Sequence, residues 1–295
     1  MINKYVNEFS TKYSPNYNGG MSNHLPMAQV ALYQLTKDID SVELFTDYYI
    51  HHTALELVEE TELVIESMDQ ALGDIEAYPA YVRFFEDWVT KEGVEVVLVE
   101  ALKKLAKGLL GGAFHVLIRL AYAVDANNND EVVRSLAYFA SAYLTVPEAS
   151  RKVPLIELDE ALNQVTGSQY FNERPLVQGL FTDVLGDILK DHEFQSINFH
   201  VEGDGIELYR EMVDYAVEEY LHTGSFLELH TITALHAIAV LEPYIEDLSV
   251  VMDTYITAYI SGLLSIKNRT KEIQPDTYNL DGWETAFSYV LSTSD

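Results

Sequence analysis

Gly111-Gly112-Ala113-Phe114-His115-Val116-Leu117-Ile118-Arg119-Leu120-Ala121-Tyr122-Ala123-Val124-Asp125 is the stretch that decides how this chain is read. Behind two glycines comes an apolar run long enough for a buried helix and too short to span a bilayer. His115, Arg119 and Tyr122 break the apolar background at i, i+4 and i+7, spacings that a helix projects from one face. A lone buried guanidinium costs several kcal/mol, so Arg119 is expected to meet a carboxylate or a bound anionic group. The glycines let another backbone, or a ligand, approach the start of that face. Taken alone, the stretch is best read as a core helix whose polar atoms are satisfied internally.

Outward from it, nearly everything repeats at period 3.6. Ser22-Asn23-His24-Leu25-Pro26 is a helix start, with a capping side chain and a proline in the first turn. Helical patterns follow at about 42–66, 78–90 and 94–107, then the opening stretch. Asn127-Asn128-Asn129-Asp130 turns and caps, and the pattern resumes over 131–144. The least regular segment, 147–175, reads as a lid, hinge or seam around a short helical piece near 158–164. Helices are predicted over 176–190 and 206–221, with a loop over 194–205 between them. Ser225-Phe226-Leu227-Glu228 has the spacing of a capping box, and 226–241 is apolar on nearly all sides, so it belongs in the interior. A further helix over 245–266 precedes a polar loop with Pro275 and a short last helix at Asp281-Gly282-Trp283-Glu284. No alternating strands with hairpin turns occur. The expectation is one all-α domain over 1–295, a multi-helix bundle-like architecture with an interior histidine-lined pocket.

Acidic residues number 47 against 18 basic ones, a formal charge of −29. That excludes nucleic acid, whose phosphates need a basic footprint, and anionic membrane surfaces. There is no cysteine, hence no disulfide, thiolate metal site or cysteine nucleophile. Residues 1–17 are polar, without an apolar signal region, and no later run reaches transmembrane length; a cytoplasmic protein is expected.

Of nine histidines, His51, His52 and His192 sit in charged amphipathic or loop settings, and His200 and His222 lie in or beside loops. His24, at a helix start, His115, on the glycine-led helix, and His230 and His236, on the interior helix, differ in kind. Each needs a buried partner, and bundles commonly hold metal or cofactor sites between facing helices. Imidazole suits iron, zinc, copper and nickel. His230 and His236 stand about 120° apart on a regular helix, so both cannot point straight at one centre. No dinucleotide-binding glycine motif, phosphate loop or serine elbow is present.

Three ordered motifs resemble the questin oxidase-like family: Asn23-His24-Leu25-Pro26-Met27-Ala28, the run from Gly111 to Ala123, and Ser225 to Ala237 with His230 and His236, with weaker support from Asn172-Glu173-Arg174-Pro175. The resemblance implies a flavin-free oxygenase acting on polycyclic aromatic ketones or quinones by Baeyer–Villiger-type or ring-opening oxidation. It implies a small aromatic substrate, a non-haem iron or other divalent metal in a histidine-rich site, and NADPH dependence in some members. Carried over by motif, His24, His115 and His230 are the ligands or proton-transfer groups, with His236 as a fourth. In this reading Arg119 and Tyr122 stabilise an enolate or peroxide oxygen. Two alternatives stand beside it: a binder of a small aromatic or lipid-like ligand, and a metal-free oxygenase with histidine as general base. Because three apolar helices each bury an imidazole, His24, His115 and His230 are expected to converge on one cavity with Arg119 on its wall. His236 is expected at the margin, bonded to a carboxylate or carbonyl.

Overall fold

The computed structural model describes residues 1–148 and 154–266. Among these, α1 (Ile2–Lys12) leads through a two-residue hairpin, β1 (Asn16–Tyr17) and β2 (Met21–Ser22), to α2 (Leu25–Thr36) and α3 (Ile39–His52). Next come α4 (Tyr78–Glu92), α5 (Val94–Leu105), α6 (His115–Asp125) and α7 (Asn129–Ser141). Then follow α8 (Leu158–Thr166), α9 (Gln169–Glu173), α10 (Phe181–Leu189), α11 (His192–Ser196), α12 (Gly205–Thr223), α13 (Phe226–Leu241) and α14 (Leu248–Ser265). The all-α expectation holds. The last expected helix, at Asp281-Gly282-Trp283-Glu284, and the Pro275 loop lie outside the described residues, as does part of the irregular 147–175 segment.

The helices start where short polar side chains offer the orphan N–H groups an acceptor. Asp38 accepts from the backbone N–H of Asp40 and Ser41, Asn128 from Glu131, Asp204 from Ile206 and Glu207, and Asp247 from Ser249 and Val250. α6 lies at the centre, packed against α7 on one side and α13 on another, with α2 also against it. α7 in turn packs on α4, and α12 joins α13 to α14. Val116, Leu117, Leu120, Ala121 and Ala123 of α6 are all buried, so its apolar character follows from neighbours on nearly every side. Against the expectation that no run reaches transmembrane length, α14 is, among the described residues, one helix long and apolar enough to cross a membrane, and most of it is buried inside the protein.

Two boundaries differ from the sequence pattern. The helix expected over 42–66 ends at His52, and the chain runs on extended, with Ser14 N–H donating to the Glu56 carbonyl and Val58 N–H to that of Lys12. A helix there would stack Glu56, Glu59, Glu60 and Glu62 at i, i+3 and i+4, where like charges repel. The helix expected over 176–190 begins only at Phe181, because Gly179 takes φ +151° and Asp183 then caps Leu180 N–H at 2.9 Å. In the loop expected over 194–205, α11 occupies the first residues, capped by Asp191.

Candidate functional site

The glycine-led stretch does its work before the helix begins. Gly112, Ala113 and Phe114 all take left-handed backbone angles, φ 56°, 55° and 72°, in a tight turn that delivers His115 as the first helical residue. Two non-glycine residues in that region cost about 1–3 kcal/mol each and persist only where the surroundings fix them. The surroundings do fix them here. A side chain at Gly111 would run into the Ala142 carbonyl oxygen, and a Cβ at Gly112 would lie 2.5 Å from the Tyr138 hydroxyl and 3.1 Å from Ser22 Oγ. The Tyr138 hydroxyl and Ser22 Oγ are themselves hydrogen-bonded at 2.8 Å. Phe114 is buried against Tyr255 of α14, ring centroids 5.8 Å apart.

His24 stands at the N-cap of α2, His115 at the start of α6, and His230 in the first half of α13. The three come together: one ring nitrogen from each lies within 4.8 Å of the others. His115 Nε2 is 2.7 Å from His24 Nε2, and the His115 and His230 ring centroids are 4.7 Å apart. The other nitrogens are already committed. His115 Nδ1 lies 2.5 Å from the Gly112 carbonyl oxygen, and His230 Nδ1 lies 2.6 Å from that of Phe226. A carbonyl can only accept, so each Nδ1 carries the proton and each opposite Nε2 presents a lone pair. Lone pairs facing at hydrogen-bonding distance repel unless a proton or metal cation lies between them. Ring nitrogen on a backbone carbonyl is also the usual way in which a ligating imidazole is oriented.

Electrostatics agrees. His115 is 7% exposed, and burial, then the neighbouring His24 and His230, press its pKa down to about 3 against the Gly112 hydrogen bond. Burial lowers His24 as well, opposed by the Ser22 backbone, and lowers His230 against the Phe226 carbonyl. All three are neutral near pH 7 and available as ligands.

The histidines line one end of a cavity of about 360 Å³, the size of a small-molecule site. Its walls are otherwise apolar, including Met27, Ala28, Ile118 and Leu229, with Tyr122 and Thr233 as polar exceptions. Phe226, 74% exposed, lies edge-on to His230 at the rim, centroids 4.2 Å apart. Burial, then the charge of Asp125, raises the Tyr122 pKa, so this phenol keeps its proton and can donate it.

Arg119 is not on that wall, and the single-face reading of His115, Arg119 and Tyr122 gives way to another. The cavity stripe of α6 is His115, Ile118 and Tyr122. Arg119, 1% exposed, turns toward α7, where Nε donates to Glu131 Oε1 at 2.7 Å and the guanidinium lies 5.9 Å from the centre of the Tyr138 ring. Burial opposes its charge, and Glu131 together with Tyr78 and Tyr138 more than offsets that, holding the pKa above its ordinary value. The expected carboxylate partner is therefore real, and it is structural. His236 is exposed, borders an adjacent cavity and forms no hydrogen bond with a described residue. Glu228 does not close a capping box: Ser225 caps Leu227 N–H at 3.2 Å, while Glu228, 1% exposed, turns inward to accept from Tyr259 at 3.2 Å.

No lysine or arginine among the described residues lines either cavity. The phosphates of NADPH therefore find no cationic anchor there, and the cavity does not fit that cofactor. The histidine cluster, by contrast, fits a metal: all-nitrogen donors, deprotonated, oriented from behind and confined to one corner of an apolar cavity.

An all-helical protein with a three-histidine cavity between its second, sixth and thirteenth helices is the class that fold and site define. The chain belongs to the questin oxidase-like family, whose model matches residues 21–290 and so takes in all three histidines. No individually curated protein matches it in sequence.

Proposed function

We propose that this protein is an oxidoreductase that oxygenates a polycyclic aromatic ketone or quinone, with His24, His115 and His230 holding a divalent metal such as iron. The observation that carries this reading is the convergence of three neutral imidazoles through Nε2, with the Nδ1 of His115 and of His230 on backbone carbonyls. Such a metal supplies Lewis acidity toward a substrate carbonyl and, when redox-active, electrons toward dioxygen. The chain's own part is positioning. The apolar walls hold a planar ring system and exclude water, Phe226 covers His230, and the protonated Tyr122 hydroxyl donates to a ligand oxygen as negative charge grows there. Arg119 is tied to Glu131 and takes no part beyond fixing α6 against α7.

Elemental analysis of protein purified without chelator or affinity tag tests the metal, with about one equivalent expected. Absence of metal, with no metal-dependent difference in stability between wild type and His115→Ala, overturns it. Sustained oxygen uptake with a panel of anthraquinones supports the enzyme. Saturable binding without uptake supports the alternative, a small-molecule binder. The 2.7 Å contact between His24 and His115 favours a second reading, a metal-free oxygenase in which this pair holds and releases one proton. That reading expects activity that survives exhaustive chelation.

A further inference from the structure

Beyond the histidine cavity, the same three helices enclose a second, smaller one of about 80 Å³. Ile118, Tyr122 and Thr233 border both, so the two form one groove along α6 and α13. From His115 to Asp125 the floor of that groove is ten residues of helix, about 15 Å at 1.5 Å per residue. Its two ends differ in chemistry. At one are the three imidazoles; at the other stand Asp125, Gln34 and His236. The Gln34 amide donates one hydrogen to the Asp125 carboxylate, which leaves the remaining carboxylate lone pairs, the Gln34 carbonyl and the second Gln34 N–H for a ligand. Among the described residues, Asp125 is the one charged acid or base lining either cavity.

We propose that the groove binds a single elongated, largely apolar molecule without an acidic group, and that Asp125 with Gln34 selects a hydroxyl at the end remote from the histidines. The proposal deepens the reading of the histidine cavity as a substrate site and rests on it. An apolar middle with no hydrogen-bonding side chain except Tyr122 and Thr233 takes a hydrocarbon or ring framework. A pole built around a carboxylate takes a hydroxyl, which can donate to Asp125 while its oxygen accepts from Gln34 or His236. A carboxylate is further opposed by the like charge of Asp125.

The test uses two probes of one size, 2-(hydroxymethyl)anthraquinone and anthraquinone-2-carboxylate, in equilibrium dialysis with metal-free protein. Wild type is expected to hold the alcohol at least about fivefold more tightly, the size of one unit-charge contact in a solvated site. Asp125→Lys is expected to reverse the order, and Asp125→Asn to bring the two affinities close together. Asp125 is exposed at the C-terminal end of α6, where a cation suits the helix dipole, so the lysine variant folds. His115→Ala is expected to leave the ratio of the two affinities unchanged. Equal binding of both probes by wild type, a ratio indifferent to Asp125→Lys, or no binding of either probe overturns the proposal. Metal content read in parallel separates the two claims. Bound metal with an indifferent ratio removes the polar selection and keeps the metal centre; no metal with a reversible ratio does the opposite.

Discussion

Two sets of buried ionisable groups share α6, and they solve burial in opposite ways. On the α7 side, Arg119 and Glu131 neutralise one another inside the core, with Tyr138 across the guanidinium. On the α2 and α13 side, His115 and His230 have spent their Nδ1 protons on backbone carbonyls and turn lone pairs toward a point they share with His24. The first set balances its charges as folded, although Arg119 Nη1 and Nη2 and Glu131 Oε2 have no hydrogen-bond partner among the described residues. In the second, His115 and His230 turn acceptor nitrogens to the centre, an arrangement that fits a cation. A buried ion pair and a candidate ligand cluster are thus told apart by whether opposite charges meet within the protein, although both are buried and both share one helix.

The largest expected effect breaks the balanced side. Arg119→Met or Glu131→Gln alone leaves the other partner without its counter-charge and should cost about 3–5 kcal/mol in urea unfolding. The double variant Arg119→Met/Glu131→Leu should recover most of that loss, since a buried pair replaced by apolar residues is often neutral. On the unbalanced side, a divalent ion at about one hundred times its Kd should stabilise wild type by about 2.7 kcal/mol and leave His115→Ala unmoved, as read by the shift in Tm.

A third expectation concerns pH in the metal-free protein. The folded His115 pKa is depressed to about 3, against an unfolded value of 6.5. The unfolded chain therefore binds the extra proton between those values, and stability is whole above 6.5 and falls as pH drops toward 3. From pH 6.5 to 5 the loss should be about 2 kcal/mol. His115→Asn should make that limb shallower, with the buried His24 and His230 keeping the rest of it; an unchanged slope would show that His115 is not held neutral.

The smallest effect sharpens the boundary between the two sets. Tyr138 touches both, lying over Arg119 and bonding Ser22 Oγ beside Gly112, whose carbonyl receives His115. Tyr138→Phe deletes one hydroxyl and should weaken metal binding about tenfold, the low end for loss of an orienting partner. Titration with Co²⁺ followed by its visible absorption reads this, and the Tm of the metal-free variant should move little.

Much of this was legible beforehand, and the parts that were not share a cause. The 3.6-residue period, the Asn128 and Ser225 caps and the all-round apolar character of 226–241 marked α7 and α13. The buried-imidazole argument brought His24, His115 and His230 together. Periodicity says that a position is buried, however, without saying against which neighbour. On α6, Ile118 and Tyr122 lie about 60° and 20° to one side of His115 and Arg119 about 40° to the other, and that modest turn carries Arg119 from the cavity to α7. Glu228 misleads for a similar reason: the Ser-x-x-Glu spacing is satisfied locally, but its helix is enclosed on every side, and the side chain meets Tyr259 instead. Tyr138 gave no local signal, and Ser22 read only as part of a helix start, because their importance here exists only across the tertiary contact with Gly112.

The left-handed turn ahead of His115 also bears on when the site comes into being. It is held in shape by Tyr138 and Ala142 at the end of α7 and by Ser22 of β2, and two of the histidines gathered there, His24 and His230, lie near opposite ends of the described chain. Contacts between parts so distant in sequence form slowly, after the loops between them have closed. The nascent chain consequently carries no histidine triangle until α13 has been made and docked. Any ion that the triangle takes would therefore enter a finished fold rather than seed it as in a zinc finger, and the protein would fold without it.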